Sequence, residues 1–407
     1  MKIRGALVDM LVQIAPEIYK DFVSYERGQK ILYVQVLKAI YGMLQSALLF
    51  YKKIRNDLIE YGFEINPYDP CVANKMVNGK QLTVVWHVDD LKASHKMKSV
   101  VDQFIEWVKK KYGSIGEVKV VYGLRHVYLG MNFDFSINGS IKIDMTDYVK
   151  DMLEEYPENL KGKSKTPANE KLFRVDENST ELVREKSELF HTFVAKGLFV
   201  SKRARPDIQP VIAFLCTRVK APTVEDWYKL HRLMDYLQRT KNDNLVMKMD
   251  DTNSIKWYID VAYAVHPDMR SHTGAVMTLG KGAVNSISSK QKVNARSSTE
   301  AELFGLDDII SSVLWTKLFM ESQGITIKEN IVYQDNKSTI LLAENGRSSA
   351  GKRSRHLNIK YFYITDQLER KELVIKYCPT DDMVADYNTK PLQGSKFVKF
   401  KRIIMNE

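Results

Sequence analysis

Hydrophobic positions along this chain fall into blocks of two periods, and the switches between them mark its parts. Val36, Ile40, Met43, Leu44, Ala47, Leu48 and Tyr51 recur at helical spacing, which predicts one or two helices over residues 34–62. Residues 82–86 (LTVVW) and about 91–95 predict two short strands around His87-Val88-Asp89-Asp90, followed by a basic helix over about 99–112. Residues 127–143 predict a hairpin with Asn138-Gly139 as its turn, a dipeptide suited to tight turns. Residues 159–181 are polar, carry Thr166-Pro167 and show no periodicity, so a linker is expected there. Residues 182–240 read as helical with breaks at Pro206, Pro210 and Pro222, and Asp243 to Asn253 as another polar break.

The pattern is clearest from residue 254 onward. Strands are predicted over 254–263, 273–279 and 283–289, the last two joined about Gly280-Lys281-Gly282. A long helix follows over about 298–322, then a strand over 330–334, a helix over about 337–345, a strand over 372–378 and a short helix over about 381–389 that stops before Pro391. A meander followed by crossovers gives a mixed sheet with helices on both faces. The fold class expected is thus α+β to α/β.

Composition narrows the partners. The chain has 407 residues, enough for two or three domains, with 44% hydrophobic and 27% charged residues. A disordered acidic tail, a collagen-like repeat and a small disulfide scaffold are excluded. Cys71, Cys216 and Cys378 stand far apart, which argues against a structural zinc site or a disulfide framework and fits a reducing compartment. No apolar run approaches the ~18 residues of a membrane span. Lys2 and Arg4 open the chain as a signal peptide would, but Asp9 breaks the apolar stretch, so a secreted protein is not expected. Sixty-one Lys and Arg against 50 Asp and Glu leave a net charge of +11. Such an excess points to a polyanionic partner, nucleic acid first, although a lysine-rich soluble surface has the same composition.

Four carboxylates fall where a metal-dependent nuclease would need them, on rigid elements that converge. Asp260 sits mid-strand between Ile259 and Val261, where Asp is rare. Ser297 and Glu300 match a capping box, which gives Glu300 a structural role. Glu302 shares its helical face with Leu306, Ile309 and Val313, and a carboxylate on an apolar face is costly unless paired or metal-bound. Asp335 ends a strand before a helix, a favoured site position that a simple helix cap would also occupy. Asp386 lies in the last short helix, one turn from Lys390, and its ordinary reading is an ion pair. Arg347, Lys352, Arg353, Arg355 and Lys360 cluster with His356 and no acidic residue, a stretch suited to phosphates or to plain solvent.

Together the segments WYIDVAYAVHPDMRSHTGA, SISSKQKVNARSSTEAEL, IVYQDNKSTILLAENG, KRSRHLNIKYFYI and ADYNTKPL resemble the ribonuclease H domain of copia-type retrotransposon polyproteins over residues 254–393. The resemblance implies Asp260, Glu302, Asp335 and Asp386 as the metal-binding carboxylates. It implies Mg²⁺ as cofactor, with Mn²⁺ fitting the same oxygen ligands, and an RNA–DNA hybrid as substrate. The basic stretch would then grip the duplex.

Upstream, Ala39-Ile40-Tyr41-Gly42-Met43-Leu44-Gln45-Ser46, Tyr61-Gly62-Phe63, Asp69-Pro70-Cys71 and His87-Val88-Asp89-Asp90 are similar to the palm of the copia-type reverse transcriptase. Met43-Leu44 replaces the usual Leu-Lys, and His87 replaces Tyr. Tyr128-Leu129-Gly130, Thr166-Pro167, Arg205-Pro206-Asp207-Ile208 and Tyr236-Leu237 continue the likeness. The resemblance implies Asp89 and Asp90 as polymerase metal ligands and Gln45 at the nucleic acid. In the family a further palm carboxylate precedes the segment matching Met1–Tyr33, and Asp9 lacks its context. The chain is therefore expected to begin inside the palm, without fingers, and to have no polymerase activity alone. The palm sheet would then lack a neighbouring strand, so residues 1–158 are expected to be less stable than 254–393. The expected division is a partial reverse transcriptase over 1–158, a linker and helical connection over 159–253, a ribonuclease H-like domain over 254–393 and a basic tail over 394–407. The family implies a cytoplasmic and later nuclear location and association with other retroelement polyprotein products. A nucleic-acid-binding remnant without chemistry is the competing reading.

Overall fold

The computed structural model describes residues 1–37, 40, 43–114, 116–346 and 358–406. It divides into two compact units, residues 1–65 with 70–101, and residues 66–69 with 102–407.

In the first unit, β1 (Lys2–Arg4) leads into α1 (Ala6–Ile14), and β2 (Val23–Glu26) and β3 (Gln29–Tyr33) form a hairpin, so that the sheet order is β1-β3-β2. Helix α2 (Leu44–Glu60) follows. The helical pattern read over 34–62 is realised only from Leu44; Val36 and Ile40 lie in irregular chain and are exposed. A four-stranded antiparallel sheet, β4 (Glu64–Ile65), β5 (Val72–Val77), β6 (Lys80–His87) and β7 (Asp90–Ser94), completes the unit. Alternation along β6 buries Leu82, Val84 and Trp86 on one face, as period two requires.

Helix α3 (Lys98–Tyr112) precedes a meander of β8 (Arg125–Tyr128), β9 (Met131–Asp134) and β10 (Ser140–Asp144). The hairpin expected at Asn138-Gly139 is present, and a second, at Leu129-Gly130, precedes it. An unpredicted helix, α4 (Thr146–Glu154), follows β10, and the region read as helical, 182–240, contains α5 (Arg184–Ser201), α6 (Gln209–Cys216) and α7 (Val224–Arg239). Thr223 and Asp226 form a reciprocal cap at the start of α7. The polar break at 243–253 hides a strand, β11 (Leu245–Met249), which pairs with β10.

The supposed linker over 159–181 has no helix or strand, yet it is fixed. The Asp235 carboxylate on α7 accepts hydrogen bonds from the backbone N–H groups of Lys161, Gly162, Lys163 and Ser164, at 2.6–2.9 Å. Farther along, Leu172 and Phe173 are buried in the helical core. One distant carboxylate supplies the partners that a helix or sheet would have supplied, which is why periodicity gave no sign of order.

From residue 254 the chain forms β12 (Ser254–Ala262), β13 (His272–Thr278), β14 (Gly280–Lys281), β15 (Asn285–Lys290), α8 (Ser298–Ser322), β16 (Glu329–Gln334), α9 (Lys337–Asn345), α10 (Asn358–Glu369), β17 (Val374–Tyr377) and α11 (Asp386–Thr389). All but two follow the predicted order; β14, inside the expected turn, and helix α10 were not predicted. The five-stranded mixed sheet has the order β15-β13-β12-β16-β17, antiparallel on one side of β12 and parallel on the other. Its two faces are covered by different cores. Trp257, Ile259, Ala275 and Met277 join Leu303, Leu306, Ile309 and Val313 of α8. Tyr258 and Val276, one residue out of phase, pack with the helices of 184–239. The residues expected as a basic tail form α12 (Gly394–Met405), whose Phe397, Phe400, Ile404 and Met405 are buried in that second core.

Candidate metal centre and nucleic-acid interface

Three of the four expected carboxylates converge. Ligand oxygens of Asp260, Glu302 and Asp335 all lie within 4.8 Å of one another, a grouping that meets the demands of a divalent cation. Asp260 comes from the central strand and is 2% exposed. Its β13 partner is Gly274, where a Cβ would stand 2.6 Å from Thr389 Cγ2 and 2.9 Å from Asn388 Cβ. The missing side chain lets α11 close onto the sheet, and Thr389 Oγ1 donates a hydrogen bond to Asp260 Oδ2. Glu302, in the second turn of α8, is 6% exposed, and Leu306, Ile309 and Val313 on its face are buried. Ser297 caps the helix and Glu300 accepts from Arg296 N, so Glu300 is occupied by the helix start. Gln334, at the end of β16, joins the two remaining ligands: its Nε2 lies 3.3 Å from Glu302 Oε2, and its Oε1 accepts from Asp335 N and Asn336 N. The cap of α9 falls to Asn336, which accepts from Thr339 N at 3.1 Å. Asp335 is thereby left out of the capping role, and its Oδ2 accepts from Thr380 Oγ1 at 3.0 Å.

Asp386 is engaged differently. Lys390 Nζ approaches its Oδ1 at 2.5 Å and Lys396 Nζ its Oδ2 at 2.7 Å. Lys390 also lies 3.4 Å from Asp260 Oδ2, so this ammonium links Asp386 to the carboxylate trio.

Electrostatics support cation binding at the trio. Burial pushes the Asp260 carboxyl up to about 6, with Lys390 opposing and Asp386 and Asp335 adding to the rise. Glu302 is raised well above the ordinary range by burial first, then by Asp260 and Asp335. Crowded, desolvated carboxylates at a strand–helix junction resist ionising together, and a divalent cation removes that penalty. The donor set is all oxygen, which suits Mg²⁺ or Mn²⁺.

Asp89 and Asp90 occupy the tip of the β6–β7 hairpin. His87 pairs with Asp90, leaving Val88-Asp89 as a two-residue turn. Val88 takes a φ of 54°, a region that β-branched residues avoid, so this turn stores strain. Both aspartates are exposed, and among the described residues neither belongs to a cluster of three metal-binding side chains. Gln45 is exposed in the first turn of α2. Arg347, Lys352, Arg353, Arg355 and His356 lie outside the described residues; Lys360 stands in α10, its side chain likewise outside. Sequence reasoning missed Gln334, Thr380, Thr389 and Lys396 as partners of the carboxylates. Thr389 and Lys390 did stand inside the ADYNTKPL segment, and Gln334 inside IVYQDNKSTILLAENG, but nothing local marked Gln334 or Thr389 as a partner of a carboxylate.

The mixed five-stranded sheet thus brings carboxylates from its central strand, its first long helix and the adjacent strand end to one point. Residues 12–168 match the family described as reverse transcriptase (RNA-dependent DNA polymerase). The chain is similar to the Pol polyproteins of copia-type retrotransposons along nearly its whole length. It is 24% identical to the retrovirus-related Pol polyprotein from transposon TNT 1-94 of Nicotiana tabacum, over 93% of this chain and 28% of that protein. The Pol polyprotein from transposon RE1 of Arabidopsis thaliana is also 24% identical, over 98% and 26%. The truncated transposon Ty1-A Gag-Pol polyprotein of Saccharomyces cerevisiae is 22% identical, over 89% and 31%. The chain thus spans little more than a quarter of the length of these relatives. Among solved structures, a ribonuclease H1 isolated from compost aligns with 33% of this chain and 91% of its own, at 19% identity and a TM-score of 0.25. Prototype foamy virus protease–reverse transcriptase aligns with 89% of this chain and 41% of its own, at 14% identity and a TM-score of 0.23.

Proposed function

We propose that residues 254–393 hydrolyse the RNA strand of an RNA–DNA hybrid within a retroelement reverse transcriptase. The observation that carries this reading is the convergence of Asp260, Glu302 and Asp335 within 4.8 Å. Mg²⁺ bound there would activate the attacking water and neutralise charge on the leaving oxygen. Asp260 is fixed by Thr389, Glu302 by Gln334 and Asp335 by Thr380, so the ligand oxygens are held before the cation arrives. Lys390 balances the charge of Asp260 and Asp386. Selection of RNA over DNA would rest on contacts to 2′-hydroxyls. Asp89 and Asp90 have no third carboxylate among the described residues, so we assign nucleotide polymerisation to this chain only with a partner that completes the palm.

The test is cleavage of a labelled RNA–DNA hybrid in Mg²⁺ by wild type, Asp335→Asn and Glu302→Gln. Cleavage by wild type and its loss in both variants supports the reading. A folded wild type that binds the hybrid and leaves it intact defeats it. That result would favour a binding remnant, the state to which the double lysine engagement of Asp386 would correspond.

A further inference from the structure

An open cleft of about 610 Å³ lies away from the carboxylates, between the strap at 163–166 and the start of α12. Lys163, Lys165 and Arg232 line it, with Thr166, Gln393 and Gly394, and no acidic side chain forms its wall. Lys163 and Lys165 are exposed on alternate positions of the strap, and among the described residues neither makes an ion pair. The strap itself is held rigid by Asp235, whose carboxylate is taken up by backbone N–H groups of 161–164. Arg232 donates to Thr166 Oγ1 at 2.9 Å, while its shielded Nε has no hydrogen-bond partner. Gln393 braces the other wall: its Oε1 lies 2.9 Å from Thr166 Oγ1, and its Nε2 donates to Ala168 O. The first N–H groups of α12 open onto this place, with no side-chain cap.

A rigid wall bearing unpaired cations, an arginine nitrogen lacking an acceptor and an uncapped helix start all ask for an anion. Gln393 lies seven positions along the chain from Asp386, a span of at most about 25 Å. That is less than one turn of duplex. A trio of carboxylates repels the polyanion on which it would act, so cationic grips at such a distance are what the site lacks by itself. We propose that this cleft binds backbone phosphates of the nucleic-acid duplex and sets its path into the carboxylate site. The proposal deepens the nuclease reading, but its test does not depend on cleavage.

The measurement is binding of the full chain to an end-labelled RNA–DNA hybrid of roughly two turns, followed by anisotropy between about 50 and 200 mM salt. Wild type is compared with Lys163→Gln/Lys165→Gln, with Arg232→Gln, and with a control pair remote in sequence, Lys220→Gln/Lys328→Gln. Thermal unfolding confirms that each is folded. The expected result is a slope of log affinity on log salt shallower by about 1.8 in the strap pair, with little change in the control. Equal slopes for strap and control variants, or no binding by wild type, overturn the proposal. Inorganic phosphate that stabilises wild type but not the strap pair, with no change in the duplex slope, marks a free-anion site and overturns it as well. Uncut hybrid bound with the expected slopes would sink the nuclease reading alone.

Discussion

Thr389 shows how much a single hydroxyl can decide. It is buried, and it donates to Asp260 from a helix that closes on the sheet only because residue 274 is glycine. Thr389→Val keeps the volume and removes the donor. A loss of about 10–100-fold in metal affinity is expected, read by calorimetric titration with Mg²⁺. A second buried pair speaks to pH. His266 Nε2 lies 2.9 Å from His272 Nδ1, His272 Nε2 lies 2.7 Å from Ser288 Oγ, and that hydroxyl donates to Asn388 O. This order makes both rings neutral donors at Nε2. Burial holds His266 down to about 4, with Lys290 assisting, and His272 down to about 3, with His266 assisting. Below about pH 6.5 the unfolded chain takes up protons that the folded pair refuses. Stability should therefore fall on acidification through that window, and His272→Gln should flatten the fall in urea titrations at pH 7 and pH 5. At this scale the sequence singled out Asp260 and Glu302 because each broke a local rule: a strand with Asp, an apolar helix face with Glu. Asp335 stood where a plain helix cap would also stand, and the family resemblance alone raised it. The sequence could not show Gln334 or the histidine pair, whose partners lie on other elements.

Elements with their own periodicity and caps were legible. Both α8 and α9 begin and end within a residue of the pattern, and each has a capping side chain, Ser297 or Asn336. Strand β11 was missed because five residues between polar flanks give too short a pattern. Helix α12 was missed because its lysines dominate the segment, although Phe397, Phe400 and Ile404 already recur at helical spacing. Phe400→Ala should cost about 3–5 kcal/mol, measured by denaturant unfolding, which a disordered tail would not do. The strap at 159–181 rests on Asp235. Burial tends to raise that carboxyl, but hydrogen bonds from Ser164, Gly162 and Lys161 outweigh it and hold it below the usual range. Its contribution is complete above the ordinary carboxylate range and is lost as pH falls through the lower folded value. Asp235→Asn removes the charge; about 2–3 kcal/mol of destabilisation is expected in urea melts at pH 7.

The whole molecule separates into a unit with a thin interior and one with two cores on either face of a sheet. Leu7, Ile14, Phe22, Tyr33 and Leu37 are 61%, 76%, 70%, 62% and 87% exposed, while the second unit buries whole faces of its helices. Limited proteolysis should cut within residues 1–101 first and leave a resistant C-terminal fragment; equal resistance of both units would contradict this. The mixed character of the sheet at 254–377 and its cover of helices on both faces were legible because a meander followed by crossovers admits few arrangements. Its fusion with the helices of 184–239 was not, since contacts between a strand face and helices some 50 residues earlier leave no periodic mark.

The carboxylate of Asp235 has one more effect. It turns the amides of 161–164, in a stretch without helix or strand, into bonded and partly sheltered groups. In deuterated solvent these four should exchange as slowly as the interior of α7, while Asn169 and Glu170, exposed a few positions on, exchange at once. A map of protection along the chain would then show a sheltered stretch in the middle of a loop.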